Sequence, residues 1–421
     1  MSERSWRLLA PLAASAPAVV LVSAMVVLAL NMGVRQTSGL FQDPMIQDLG
    51  ISRTSFGFAI AIQNLLWGVM TPVVGVLADR YGAGRFLALG GVIYALGLLI
   101  MGLGHSEFSL HLGASLFIGL GVSACGFPLV LSAVARAFSE RRRSLALGVA
   151  ASGGSVGQFL LLPFTQVTIG EIGWSGTLIV LAVLAALIVP LAALLTGRPQ
   201  ARAGESAFGG IRAAIGQAGR HRGYQLLTGG FFVCGFHVSF IATHLPAYIN
   251  TLEFDPIVGA TALGLIGFFN IIGGLLAGYL GGRYRKNYLL SGIYLARAVV
   301  ITLFLISPKT ELAVYLFGAS FGILWLSTVP LTSGLVGDVF GARYMATLFG
   351  FVMFSHQIGA FFGAWLGGLS YDLTGSYTAV WVMAIVLGLI AAVLHWPISD
   401  RPVTESAAPE TAPPTPAPSR F

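Results

Sequence analysis

Apolar runs long enough to cross a bilayer recur about a dozen times along this chain, and no other feature of the sequence limits its fold so strongly. A membrane-spanning helix needs roughly 20 apolar residues. The runs fall at about 16–40, 53–78, 85–104, 109–137, 144–167 and 174–196, and again at about 223–250, 257–281, 287–306, 311–337, 345–370 and 377–397. With 56% hydrophobic and 9% charged residues among 421, no soluble fold could bury so much apolar surface. The expected class is an all-α polytopic membrane protein of twelve transmembrane helices. The first run lacks a short signal-peptide core with a cleavage site and is expected to be retained as helix 1.

The net charge of +7 would suggest nucleic acid in a soluble protein, but its placement gives another reason. Arg80 and Arg85 follow helix 2, Arg136 and Arg141 to Arg143 follow helix 4, and Arg283, Arg285 and Lys286 follow helix 8. These lie on one side with Arg4, Arg7, Arg198, Arg202, Arg212, Arg220, Arg222, Arg343, Arg401 and Arg420, whereas the other side has Arg53 and Lys309. The positive-inside rule then puts both termini in the cytoplasm. No nucleic-acid partner is expected.

The chain repeats itself. Pro128 and Pro330, Arg141 and Arg343, and Gly157 and Gly359 are each 202 residues apart, and Gly75 and Gly278, Arg80 and Arg283, and Tyr81 and Tyr284 are 203 apart. Two pseudo-symmetric six-helix halves follow, residues 1–196 and 223–400. They are joined by a polar cytoplasmic loop, 197–222, and followed by a tail, 401–421, rich in Pro, Ala, Thr, Ser and Glu and expected to be disordered.

Between helices 2 and 3 stands Gly75-Val-Leu-Ala-Asp79-Arg80-Tyr-Gly82-Ala-Gly-Arg85. Its glycines let helix ends approach closely, Asp79 can cap a helix end or hold an arginine, and Arg80 and Arg85 stay in water. It resembles the loop signature of the major facilitator superfamily, G-x-x-x-D-R-x-G-x-[RK]-[RK]. That resemblance implies a transporter fold with its site between the halves. In the second copy Gly282 replaces Asp79. Gly33 to Phe41, and Phe138 to Gly148, are similar to segments of the monocarboxylate porters and the related oxalate/formate antiporters. Likeness to that branch implies small organic anions, often moved with protons. Three of the branch's functional residues are replaced: its helix 8 arginine falls near Gly274, an aspartate near Asn270 and a helix 1 lysine near Gln36.

A charge in hydrocarbon costs about 2.5–3.5 kcal/mol on insertion scales, which singles out Arg35 and Arg297. Arg35 lies toward the outer end of helix 1, on a polar stripe with Asn31 and Ser38. A guanidinium presents two parallel donors to a carboxylate. Its structural alternatives are snorkelling or pairing with Asp43. Arg297 is near the middle of helix 9, where it binds substrate or satisfies helix-end carbonyls or Asn270. Asn31, Gln63, Asn64, Gln158 and Asn270 are neutral candidates for polar contact, with Asn31, Gln158 and Asn270 put on substrate, or they are interhelical glue. No acidic residue falls near the middle of a span, which favours an anionic substrate over a cation exchanged for protons.

If protons move too, histidine is the titratable group left. His237 and His244 share a face of helix 7, and His356 is midway along helix 11; the alternative for each is a neutral interhelical hydrogen bond. Cys125 and Cys234 are expected to be packing residues, without a disulfide framework. Pro128 and Pro330, in glycine-rich surroundings, allow bending. No nucleotide loop, metal cluster or catalytic nucleophile is present in the sequence, so neither a cofactor nor an enzymatic activity is expected.

The expectation is thus a monomeric secondary transporter of a bacterial inner membrane, carrying a small carboxylate with a proton. An exporter of amphipathic or aromatic compounds, with Trp67, Phe236, Phe269 and Trp325 lining its cavity, is the alternative. A receptor or scaffold without flux is a third.

Overall fold

The computed structural model describes residues 17–195, 215–340 and 345–400, and only the backbone of residues 79, 80, 140, 141, 143–145, 345 and 346. The expected tail, most of the central loop and the arginines at the N-terminus lie outside the described residues. Eleven described helices are long and apolar enough to cross a membrane. The longest, Ala146–Leu195, has 50 residues. At about 1.5 Å per residue it would reach some 75 Å, far beyond a hydrocarbon core of roughly 30 Å. It reverses at Gly173, whose φ of 73° and ψ of 172° suit glycine alone. The gap expected between helices 5 and 6, at about 168–173, therefore contains a single non-helical residue, and dividing the segment there accommodates a twelfth span.

We label the spans α1 (Pro17–Leu49), α2 (Arg53–Tyr81), α3 (Ala83–Gly104), α4 (Glu107–Ala137), α5 (140–172) and α6 (174–195). The second group is α7 (Arg222–Asn250), α8 (Pro256–Gly281), α9 (Lys286–Ile306), α10 (Glu311–Phe340), α11 (Met345–Thr374) and α12 (Thr378–His395). Their starts follow from local chemistry. Ser52 caps α2 by accepting from Ser55 N–H, Thr310 caps α10 through Ala313 N–H, and Asp255 with Pro256 behind it opens α8. Gly82, at φ 99°, is the whole turn between α2 and α3, which explains the glycine of the loop signature. In that signature Arg85 is exposed, and the side chains of Asp79 and Arg80 lie outside the described residues.

Besides α6, which turns at Leu187 and ends in a 3₁₀ segment, Ala193–Leu195, three spans are not continuous α-helix. In α1 the α-helix ends at Gln36, and the chain passes through a 3₁₀ segment, Thr37–Phe41, into a short helix, Gln42–Leu49. In α4 a π segment, His111–Ile118, precedes a break at Gly126, where ψ is 175°; the helix restarts at Phe127 with Pro128 in its first turn. In α10 the helix stops at Leu324 and restarts at Thr328, two residues before Pro330. The prolines expected to bend these spans instead stand in the first turn after a break, where a missing N–H costs nothing.

The buried apolar residues form two clusters. One runs from Val20 to Leu195 with Ala364, and the other from Ala218 to Ile398 with Leu40 and Leu162. Glycine sets the same close approach in both. A Cβ on Gly157 would collide with the Ala29 carbonyl, and one on Gly359 with the Phe232 carbonyl. Both positions are related by the sequence repeat, so α5 seats on α1 as α11 seats on α7.

Candidate functional site

Arg35 occupies the last turn of the α-helical part of α1 and is only partly buried, with its guanidinium 4.7 Å over the Trp67 ring of α2. Nη2 donates to Asn64 Oδ1 and Nη1 to Gln36 Oε1 at 3.3 Å. Nε is buried and has no partner among the described residues. These neighbours are amides, and no described carboxylate pairs with this charge.

The amides lead outward. Asn64 Nδ2 donates to the Ile60 carbonyl at 3.0 Å and to Ser239 Oγ of α7 at 3.1 Å. Gln36 Nε2 donates to Gln158 Oε1 at 3.4 Å, and Gln158 Nε2 to the Leu263 carbonyl of α8 at 3.0 Å. Arginine can only donate and a carbonyl can only accept, so the direction of both amide chains is forced. Arg35 and Gln158, picked out separately in the sequence, belong to one network through Gln36. Asn64 and Ser239 complete it. Asn64 stood among the neutral candidates, whereas a hydroxyl within an apolar run is the only sequence signal that could have marked Ser239.

The other four candidates lie elsewhere, Gln63 among them, whose Nε2 donates to the Ala114 carbonyl of α4 at 3.0 Å. Asn31 is fully buried, and its Nδ2 donates at 2.9 Å to the Cys125 carbonyl, freed by the break in α4. Arg297 is also fully buried. Its Nη2 donates to the carbonyls of Leu324 at 2.7 Å and Trp325 at 2.5 Å, and Nε reaches Leu324 at 3.2 Å. It thereby caps the first limb of α10, where the helix dipole is negative. Cys234 Sγ lies 3.6 Å from Nη2 and 3.2 Å from Thr328 Oγ1. Asn270 holds the same break from the other side, accepting from Leu326 N–H at 3.0 Å while donating to Ser155 Oγ of α5 at 2.9 Å.

His237 and His244 face main chain. His237 Nε2 lies 2.8 Å from the Ala384 carbonyl of α12, turned away from the Arg35 network. His356 packs against Phe231 and leaves Nδ1 without a partner among the described residues. His244 joins the two groups of helices. Its Nε2 donates to the Ala364 carbonyl of α11 at 2.6 Å, and its Nδ1 accepts from Gln42 Nε2 of α1 at 3.2 Å.

Near His244, at the end of the molecule away from Pro17 and Asp400, a charged knot closes the gap between the groups. Arg53 pairs with Asp43 at 2.7 Å, donates to Tyr377 Oη at 3.0 Å and stacks 4.3 Å over Tyr371. Asp372 of α11 accepts from the backbone N–H of Arg53 and Thr54, at 3.3 and 2.7 Å, so a carboxylate from one group caps a helix of the other. Asn250 donates to Asp43 at 2.7 Å. The sequence hinted at this knot only by leaving Arg53 as one of two basic residues on its side.

Of the aromatic residues proposed to line a cavity, Phe236 and Trp325 are each 1% exposed and pack in the core, while Trp67 and Phe269 are partly open.

Residues 21–364 match the sequence profile of the Major Facilitator Superfamily. An uncharacterized MFS-type transporter of Bacillus subtilis (strain 168), YcxA, is 25% identical over 379 residues, covering 87% of this chain and 91% of that protein. Monocarboxylate transporter 13 of Bos taurus is 28% identical over 379 residues, covering 87% and 85%. Among solved structures, a D-xylose-proton symporter superposes with a TM-score of 0.74 at 14% identity, covering 91% of this chain and 98% of that one. An inward-facing, unoccupied bacterial homologue of the human lysosomal transporter Spinster gives 0.73 at 15%, covering 91% and 97%. At these identities the two structures speak for the fold alone.

Proposed function

The chain belongs to the Major Facilitator Superfamily, and on that premise we propose a secondary active transporter that moves a small monocarboxylate-like anion by alternating access. The carrying observation is Arg35, a membrane-embedded guanidinium held by amides, with Nε unpartnered and no carboxylate neighbour. A substrate carboxylate supplies the missing charge and can take the Nε and Nη2 donors together. The similarity to monocarboxylate transporters supports the same substrate class.

Residues 1–196 and 223–400 are the moving bodies, joined by the central loop. With the arginine-rich ends in the cytoplasm of a bacterial inner membrane, the Arg53 knot lies outside and the described conformation is sealed on that side. The protein acts as a monomer. Arg297 and Asn270 contribute by holding the break in α10 rather than by touching substrate, and Asn31 does the same in α4.

Co-transport of a proton makes the anion electroneutral and removes about 2.3 kcal/mol per charge per 100 mV of membrane potential. We assign the proton to His244. Gln42 Oε1 has no partner among the described residues, so its amide can turn and accept from a protonated Nδ1. Arg53, Asp372 and Tyr377 are the charged and titratable groups around that ring. Transport in proteoliposomes should rise when the outside is acidified, and His244→Gln should flatten that response; an unchanged pH profile would remove His244 from the role.

The exporter alternative loses two of its four proposed lining residues to the core. A thermal-shift screen of small carboxylates, dicarboxylates, aromatic acids and organic cations tests the choice. A ligand at 100 times its dissociation constant adds about 2.7 kcal/mol. Carboxylate-selective stabilisation absent in Arg35→Ala is the expected result; indifference to carboxylates would overturn the proposal.

A further inference from the structure

We infer that Asn64 is a placeholder ligand, holding the substrate's place on Arg35 and linking substrate arrival to the contact between α2 and α7. The inference rests on Arg35 as the carboxylate site and deepens that reading.

The two amides on Arg35 are not equivalent. Gln36 meets Nη1, and its chain through Gln158 to the Leu263 carbonyl has a fixed direction from a pure donor to a pure acceptor. Turning either glutamine would set oxygen against oxygen or nitrogen against nitrogen. This branch anchors the guanidinium. Asn64 instead meets Nη2, which forms a bidentate edge with the unpartnered Nε. Nη2 carries two N–H groups, and we place Asn64 Oδ1 on the one that shares the Nε edge, so that a docking carboxylate competes with it and leaves Gln36 in place.

Asn64 is fully buried, so its displaced oxygen cannot turn to bulk water. Its other end holds Ser239 Oγ on α7 and the Ile60 carbonyl on its own helix. When the amide swings to find a donor, the hydroxyl can become that donor, whereas the carbonyl cannot. The bond between α2 and α7 therefore reverses or breaks as the anion binds. Asn64 is thus a positioning residue, and Ser239 is its responding partner across the two groups.

The test measures affinity and turnover separately, using lactate and benzoate as probes with purified protein and proteoliposomes at pH 6. Asn64→Ala removes the competitor, so binding should tighten several-fold while maximal transport falls several-fold. Ser239→Ala should leave affinity within about twofold of wild type while also lowering turnover. Ser239→Thr, which keeps the hydroxyl, should restore turnover. Weaker binding in Asn64→Ala would make Asn64 a direct ligand and overturn the inference, as would unchanged affinity and turnover. If Asn64→Ala does not fold, wild-type turnover in Ser239→Ala overturns it alone. Unchanged binding in Arg35→Ala, or no binding of either probe to wild type, would instead refute the carboxylate site itself.

Discussion

Arg35 and Arg297 are the same side chain in the same kind of apolar run, yet their surroundings give them different work. Arg35 is half-open, stands over Trp67, donates to two side-chain amides and keeps Nε unpartnered. Arg297 is sealed, and Nε and Nη2 together close on the carbonyls of a broken helix, while Nη1 has no partner among the described residues; the two arginines differ in their acceptors. Amides can exchange partners with a ligand; helix-end carbonyls cannot leave without unwinding the helix. A buried charge in a transporter is thus informative only once its acceptors are known.

The repeat sharpens the contrast. Subtracting 203 carries Arg297 onto Tyr94 and Cys234 onto Asn31. Tyr94 Oη donates to the Asn31 carbonyl at 3.2 Å, and Asn31 caps Cys125. The break in α4 is therefore held by neutral groups at positions where the break in α10 uses a guanidinium beside a thiol.

The largest effect should come from Arg297→Met, which leaves two buried carbonyls uncapped. Each charge-assisted hydrogen bond is worth about 1.5–3 kcal/mol, set against recovered desolvation, so a loss of about 2–4 kcal/mol is expected. Thermal unfolding in detergent measures it. The substrate KM of the protein that still folds should stay at the wild-type value; a raised KM with normal stability would collapse the distinction between the two arginines.

Arg35→Ala should do the opposite. Loss of charge-assisted bonds to a carboxylate lowers affinity about 10–100-fold. Ligand-free stability should fall less than in Arg297→Met, by about 1–2 kcal/mol, because the buried Asn64 Oδ1 is left without its donor. Arg35→Lys should recover only part of the affinity, since an ammonium lacks the two parallel donors. Flux and thermal shift on the same preparations separate the two quantities.

Much of this was legible beforehand. Length and apolarity alone set the spans, since a bilayer accepts few alternatives to a helix of about 20 residues. The loop signature and the repeat pointed to the family. Arg35 stood out because a charge in hydrocarbon is costly. Asn64 and Gln158 stood out only as amides in apolar runs, and their link to Arg35 and to Ser239 was not legible, because the four residues come from different helices and share no periodic signal. Arg297 was read as a ligand or a cap, and the choice needed the break at residues 325–327. Pro330 was its trace, but a proline marks a nearby change of direction without saying which carbonyls are set free. The reversal at Gly173 falls at the end of the gap expected before helix 6 at about 174; what the sequence did not show is that α5 stays helical up to that residue.

Asn31→Ala tests the neutral break. It removes one hydrogen bond to the buried Cys125 carbonyl, and about 1–2 kcal/mol of stability should be lost, less than for Arg297→Met. An equal or larger loss would mean that charge is not what distinguishes the two breaks.

The smallest effect is expected at Trp67. A guanidinium 4.7 Å from the indole centroid gains about 0.5–1 kcal/mol at an exposed site, and more when desolvated. The ring also fixes the plane of the guanidinium, so that the Nε and Nη2 edge stays turned toward one place. Trp67→Leu should therefore weaken carboxylate binding about two- to fivefold, while Trp67→Phe, which keeps a ring face, should retain most of the affinity. Binding titrations with a small carboxylate resolve such a difference. Equal losses in both variants would show that bulk rather than the ring face supports Arg35, and tighter binding in Trp67→Leu would show that the indole competes with substrate for the cation.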